Sequence, residues 1–167
     1  MIIEQNVPTH VRTWAYCQDM TRHYEKLISV LEAGSYFSMG TRGIYVCFMK
    51  RYGSAGKKKY LEKYCKPESK RLTRRCAKYR VLADRIQQKS EIPLKNWLLS
   101  KEEALNLIGN TLRYKPRGKF LNNGMLNYIT LQSCSADGER IFCSNSLWPD
   151  GLDSLLLLTL GFGKNQQ

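Results

Sequence analysis

Histidine is scarce in this chain of 167 residues, and the six cysteines never come in close pairs. His10 and His23 are the only two imidazoles, so a zinc site built from CxxC or HxxxH spacings has no ligand set to draw on, and no metal or cofactor is expected. The GxSxG, HExxH and P-loop spacings are missing as well, which removes the commonest hydrolase, metalloprotease and nucleotide-hydrolysing signatures. No apolar run exceeds residues 44–49, far short of the roughly 20 residues needed to span a bilayer. The first eight residues carry neither a basic n-region nor an apolar h-region, so no signal peptide is read and a cytoplasmic location without membrane association is expected.

What is present begins with an ordinary globular composition, 43% hydrophobic and 25% charged. Cys17, Cys47, Cys65, Cys76, Cys134 and Cys143 are widely spaced in a chain with ample apolar residues, and they read as reduced, mostly buried thiols rather than a disulfide framework. A single domain over 1–167 is expected, with a soft division near 52–56, where Gly53, Ser54, Ala55 and Gly56 interrupt the pattern.

Charge is the informative quantity. The chain has 27 basic and 14 acidic residues, +13 net, and the excess is concentrated. Between Lys50 and Lys89 there are 15 basic residues against three acids, a balance of +12, whereas the rest has 12 against 11. A concentrated patch creates a local field that attracts polyanions, which dispersed charge does not.

Hydrophobic periodicity predicts an α+β protein. A long N-terminal helix from about His10 to Glu32, capped by Thr9 and stopped at Gly34, puts Trp14, Cys17, Met20, Tyr24, Leu27, Ile28 and Leu31 on one face. A β-ribbon follows between Ser35 and Met49, with Gly40 to Gly43 as its turn and Ile44 to Phe48 as a buried strand. Arg42 to Phe48 superficially approaches an RNA-binding strand signature, but it is one residue short and its aromatics fall out of phase. Two basic helices come next, from about Lys57 to Cys65 and from Pro67 to about Gln88. On the second, Leu72, Cys76, Tyr79, Ala83 and Ile86 form an apolar stripe, and Arg71, Arg74, Lys78, Arg85 and Lys89 form a cationic one about 120° round the helix, with Arg75 at its edge.

Ser100 and Glu103 make a capping box for a helix expected to run to about Arg113 and to bury Ala104, Leu105, Ile108 and Leu112. A C-terminal antiparallel β-meander is then read from Lys119 to Leu121, Met125 to Gln132 and Arg140 to Cys143, joined at Asn123-Gly124 and Asp137-Gly138. A two-residue turn at Asp137-Gly138 places Cys134 opposite Ile141 and Cys143 opposite Gln132. The helix from Lys101 with the hairpin about Gly138 permits a winged-helix-like part, although Asp137 and Glu139 put the wrong sign at the wing tip. Asp153 to Phe162 fits either a last strand or a short helix.

The candidate phosphate-binding residues are Lys57, Lys58, Lys59, Lys70, Arg71, Arg74, Arg75, Lys78, Arg85 and Lys89, because neutralising several phosphates releases counterions and needs many cations on one surface. Arginine adds two-point contacts to phosphate. A second candidate is the loop carrying Tyr114, Lys115, Arg117, Lys119 and Phe120, where aromatics alternate with cations as in single-strand readers. The expected function is therefore non-enzymatic nucleic-acid binding, DNA slightly over RNA, since a cationic helix suits the major groove. The alternative is an inhibitor or adaptor whose basic surface docks on an acidic protein or in a nucleic-acid-binding groove. A nuclease using Asp150 and Asp153 is a third reading, and turn formation and helix capping explain those residues without chemistry. Nothing in the sequence sets the oligomeric state.

Overall fold

A computed structural model describes residues 1–34, 39–115, 127–144 and 148–164, with residues 39–41 described by their backbone alone. It has mixed helix and sheet, as an α+β reading requires: β1 (Ile2–Glu4), α1 (Thr9–Glu32), α2 (Met39–Tyr52), α3 (Gly56–Tyr60), α4 (Lys66–Lys89), α5 (Lys101–Leu105), β2 (Thr111–Tyr114), β3 (Asn127–Cys134), β4 (Ile141–Cys143) and α6 (Ser154–Leu160). The chain divides into two compact units, one of Met1–Asp19 with Leu82–Gln167 and the other of Met20–Val81. Residues 52–56 lie inside the second unit. No helix among the described residues is long and apolar enough to cross a membrane.

In the first unit a four-stranded sheet has the order β1-β2-β3-β4. β1 runs parallel to β2, pairing Ile3 with Leu112, and β2, β3 and β4 form an antiparallel meander. Burial alternates along β2, so Leu112 and Tyr114 enter a core with Ile129, Leu131, Ile141, Leu152, Leu157 and Phe162. Fully burying each such leucine is worth about 1.5–3 kcal/mol. The helix expected to reach Arg113 ends instead at Leu105: Gly109 adopts φ +88, and from Thr111 the side chains follow the two-residue period of a strand. Leu112 is buried as foreseen, but from β2. The capping box is formed, with the Glu103 amide donating to Ser100 Oγ at 3.2 Å and the Ser100 amide to Glu103 Oε1 at 3.1 Å.

A one-turn α5 is too short to serve as a recognition helix, so the winged-helix-like arrangement is absent from the described residues. The β3–β4 connection is a four-residue loop, 136–139, closed by Ser135 and Arg140: the Ser135 amide donates to the Arg140 carbonyl at 2.8 Å and the Gly138 amide to the Ser135 carbonyl at 2.9 Å. That replaces the two-residue turn. Cys134 does face Ile141, but a bulge between Leu131 and Ser133 brings Cys143 opposite Leu131 rather than Gln132. The stretch 153–162 forms the helix α6, Ser154–Leu160, and both of its ends are capped. Asp153 accepts from the Leu156 amide at 2.9 Å, and Gly161, at φ +103, donates to the carbonyls of Leu157 and Leu158. The proposed strand at 119–121 and the Asn123-Gly124 turn lie outside the described residues.

The second unit is helical. Tyr24, Leu31, Tyr60, Cys65, Leu72 and Cys76 form its core, with Ile44, Tyr45, Phe48 and Tyr79 packed against them. The β-ribbon expected here is overturned, since residues 39–52 are α2; Tyr36 and Phe37 fall outside the described residues. Ile44, Tyr45 and Phe48 turn inward while Val46 and Met49 are 41% and 36% exposed, a helical and not an alternating pattern. A short apolar run fits either element by itself, and the packing partner decides. That partner is Tyr60, whose ring meets Tyr45 edge-on at 5.3 Å and Phe48 at 5.9 Å.

After a 3₁₀ turn at Gly53–Ala55, α3 leads through a π turn, Leu61–Cys65, directly into α4, so no break separates the two basic helices. Pro67 explains the π turn. Proline has no N–H and its ring crowds the carbonyl four residues back. Just before it the ladder widens, and the Lys66 amide donates to the Leu61 carbonyl five residues back. The N-terminal helix also starts one residue earlier than read, with the Pro8 carbonyl accepting from both Val11 and Arg12 amides at 3.1 Å.

Candidate nucleic-acid interface

The second unit contains 16 basic and 4 acidic residues, +12 of the chain's +13, so the charge asymmetry of the sequence coincides with one compact body. Within it α4 has two distinct faces. Leu72 and Cys76 are buried against the core, and Lys70, Arg71, Arg74, Arg75 and Lys78 are exposed. Two arginines of this helix are already engaged. Arg71 grips Glu68 through both its Nε and its Nη2, and Arg80 pairs with Glu25 of α1. The Arg71 guanidinium holds the Glu68 carboxyl below its usual range, and the carboxylate in turn raises Arg71. Lys70, Arg74, Arg75 and Lys78 form no salt bridge among the described residues.

The remaining predicted cations divide by position. Lys57 and Lys58 are exposed on α3 and Lys59 is half-buried there. Arg85 and Lys89 are exposed on the last turns of α4, within the first unit. There Lys89 lines an open cleft of about 540 Å³ with His10, Ile86, Glu91, Ile92 and Trp97.

Of the loop candidate, Tyr114 and Lys115 fall among the described residues. Tyr114 is only 4% exposed, sits in the core of the first unit and meets Trp148 edge-on at 6.4 Å, so it has no face to offer a base. Burial also pushes its hydroxyl above the usual tyrosine range. Lys115 is exposed, while its carbonyl accepts from Arg12 Nη2 at 3.5 Å. Arg117, Lys119 and Phe120 lie outside the described residues.

One cluster was not read from the sequence. Tyr52, the last residue of α2, is surrounded by cations: Arg51 Cζ lies 5.5 Å, Lys59 Nζ 5.8 Å and Lys63 Nζ 5.1 Å from its ring centroid. Lys63 also donates to the Tyr52 hydroxyl at 3.0 Å, and that bond, with the three positive charges, lowers the pKa of the phenol below its usual value despite opposing desolvation. Phe48, one turn back, stacks on Tyr52 with centroids 5.9 Å apart. A four-residue spacing within each pair, Phe48 with Tyr52 and Lys59 with Lys63, was the available signal. It is informative only once both segments are known to be helical.

No group of three or more histidine, cysteine or acidic side chains among the described residues could hold a metal. Asp153 caps α6, and Asp150 is exposed in the turn before it. No family model, no curated protein and no solved structure matches the chain.

Proposed function

We propose that this protein is a non-enzymatic nucleic-acid-binding protein that holds phosphates on the basic surface of its second unit, in a reducing compartment such as the cytoplasm. The observation that supports this reading is the placement of +12 of the net +13 charge in residues Met20–Val81, with Lys70, Arg74, Arg75 and Lys78 exposed on one helix and outside any salt bridge among the described residues. A solubilising charge has no reason to be confined to one body, whereas a phosphate-binding surface must be. Phosphate contacts position the ligand without reading its sequence, so binding is expected to be largely indifferent to base order.

Fluorescence anisotropy across a salt series, with unrelated duplex DNA, single-stranded DNA and RNA, tests the proposal. Four or five neutralised phosphates give log affinity falling linearly with log salt, with a slope of about −3 to −4.5. Failure of all three ligands to bind near physiological salt would overturn it, and would favour docking on an acidic protein instead.

A further inference from the structure

The cluster at the end of α2 carries more than charge. Phe48 and Tyr52 stand one helical turn apart with rings inclined by 27°, and both are only partly buried. Arg51, Lys59 and Lys63 lie 5.1–5.8 Å from the centroid of the Tyr52 ring. A group packed directly on an aromatic face stands about 3.5–4 Å away, so the three cations lie over the ring within cation–π range without packing directly against it. Lys63 is held at the hydroxyl edge by its 3.0 Å hydrogen bond. No carboxylate among the described residues forms a salt bridge with any of the three. Three like charges about one ring repel one another, and the negative face of the ring offsets only part of that repulsion. The arrangement lacks an anion and presents an aromatic surface beside the place where one would sit.

We infer that Tyr52 is a base-stacking position for single-stranded nucleic acid, with the flanking phosphates held by Arg51, Lys59 and Lys63. The inference rests on the phosphate-binding reading and specifies its ligand. An aromatic ring with cations close about it is what a single strand requires, since each unpaired base has a free face and each nucleotide a phosphate. In a duplex both faces of a base are covered by its neighbours, so the ring gains nothing there and only the charges act.

The test uses the full chain and labelled oligonucleotides of about 12 nucleotides: a thymidine single strand, an abasic deoxyribose-phosphate strand of the same length, and a duplex. The wild-type protein should bind the thymidine strand about tenfold more tightly than the abasic one. Tyr52→Leu should remove most of that difference, Tyr52→Phe and Tyr52→Trp should keep it, and affinity for duplex should not change in any of them. Equal affinity of the wild type for the thymidine and abasic strands overturns the inference, and this comparison decides even if Tyr52→Leu fails to fold. Duplex binding that persists in that case leaves the phosphate-binding proposal standing, whereas absence of all binding removes both.

Discussion

Arg80 of α4 is paired with Glu25 of α1, whereas Arg74, Arg75 and Lys78 of the same helix form no salt bridge among the described residues. Arginines six residues apart on one helix are therefore not equivalent, one serving the contact with α1 and the other remaining available to a ligand. Exposed ion pairs are worth about 0–1 kcal/mol, so Arg80→Ala should lower stability by less than about 1 kcal/mol and reduce nucleic-acid affinity little. Reversing Arg74, Arg75 and Lys78 together to Glu should leave far-UV circular dichroism unchanged while affinity falls by at least about a hundredfold at low salt. Arg71 is left out of that set, because a glutamate there would confront Glu68. Unchanged binding in the triple variant would dissociate the charged face from the function.

The cysteines divide by accessibility. Cys47 and Cys134 are exposed, Cys17, Cys65 and Cys76 are buried, and no disulfide joins any of the six. Burial raises the pKa of the Cys65 and Cys76 thiols and so lowers their thiolate fraction. A colorimetric thiol reagent should therefore label two sites rapidly in the folded protein and six after unfolding without reductant. Four or fewer sites after unfolding would reveal a disulfide that this structure does not contain.

Alkaline pH should unfold the second unit early. Burial, reinforced by the neighbouring Cys65 thiol, pushes the Tyr60 hydroxyl well above its ordinary value, and Tyr64, Cys65 and Cys76 shift in the same direction. The fold thus holds the neutral forms, while the unfolded chain ionises from ordinary values of 9.0 for cysteine and 10.0 for tyrosine. Stability from this source is complete below about pH 9 and is lost as pH rises through the unfolded values toward the folded ones. Tyr60→Phe keeps the ring that meets Tyr45 and Phe48, so its alkaline midpoint by circular dichroism should lie above that of the wild type. A midpoint at or below the wild-type value would show that Tyr60 does not govern the transition.

The ends of α6 should be costly to alter. Asp153→Ala removes the acceptor of the Leu156 amide and should cost about 1 kcal/mol in denaturant unfolding, while Asp153→Asn, which keeps a capping oxygen, should cost a few tenths. Gly161→Ala should cost more, about 1–3 kcal/mol. Its φ of +103 is unfavourable for any side chain, and a new Cβ would stand 3.0 Å from Gln5 Cγ. An alanine there without loss of stability would contradict the left-handed cap.

Much of the helical framework was legible because its signals are local. The apolar face of α1, the stripe of Leu72, Cys76 and Ala83 on α4, and the Ser100–Glu103 box each depend on residues within a few turns of one another. Cys134 opposite Ile141 was legible for a similar reason, since the sequence between them holds a strong turn signal. The exchange of a two-residue for a four-residue loop preserved that pair, and the bulge then shifted the partner of Cys143. β1 was not legible, because three residues acquire strand character only by pairing with Thr111, Leu112 and Arg113, more than a hundred positions away.

The sequence by itself determined how much charge the protein carries, that the excess lies in one stretch, and which long segments are amphipathic helices. These are properties of composition and of short-range periodicity, and no packing alters them. The tertiary structure decided that residues 39–52 are helix and not ribbon, that α5 stops after one turn, that Tyr114 is core, and that Tyr52 is ringed by Arg51, Lys59 and Lys63. Each of those outcomes depends on what a segment packs against. A short apolar run has nearly equal local preference for strand and helix, so the free energy of burial against Tyr60 selects one. The cations about Tyr52 come from three positions whose convergence exists only once α2, α3 and the π turn are formed.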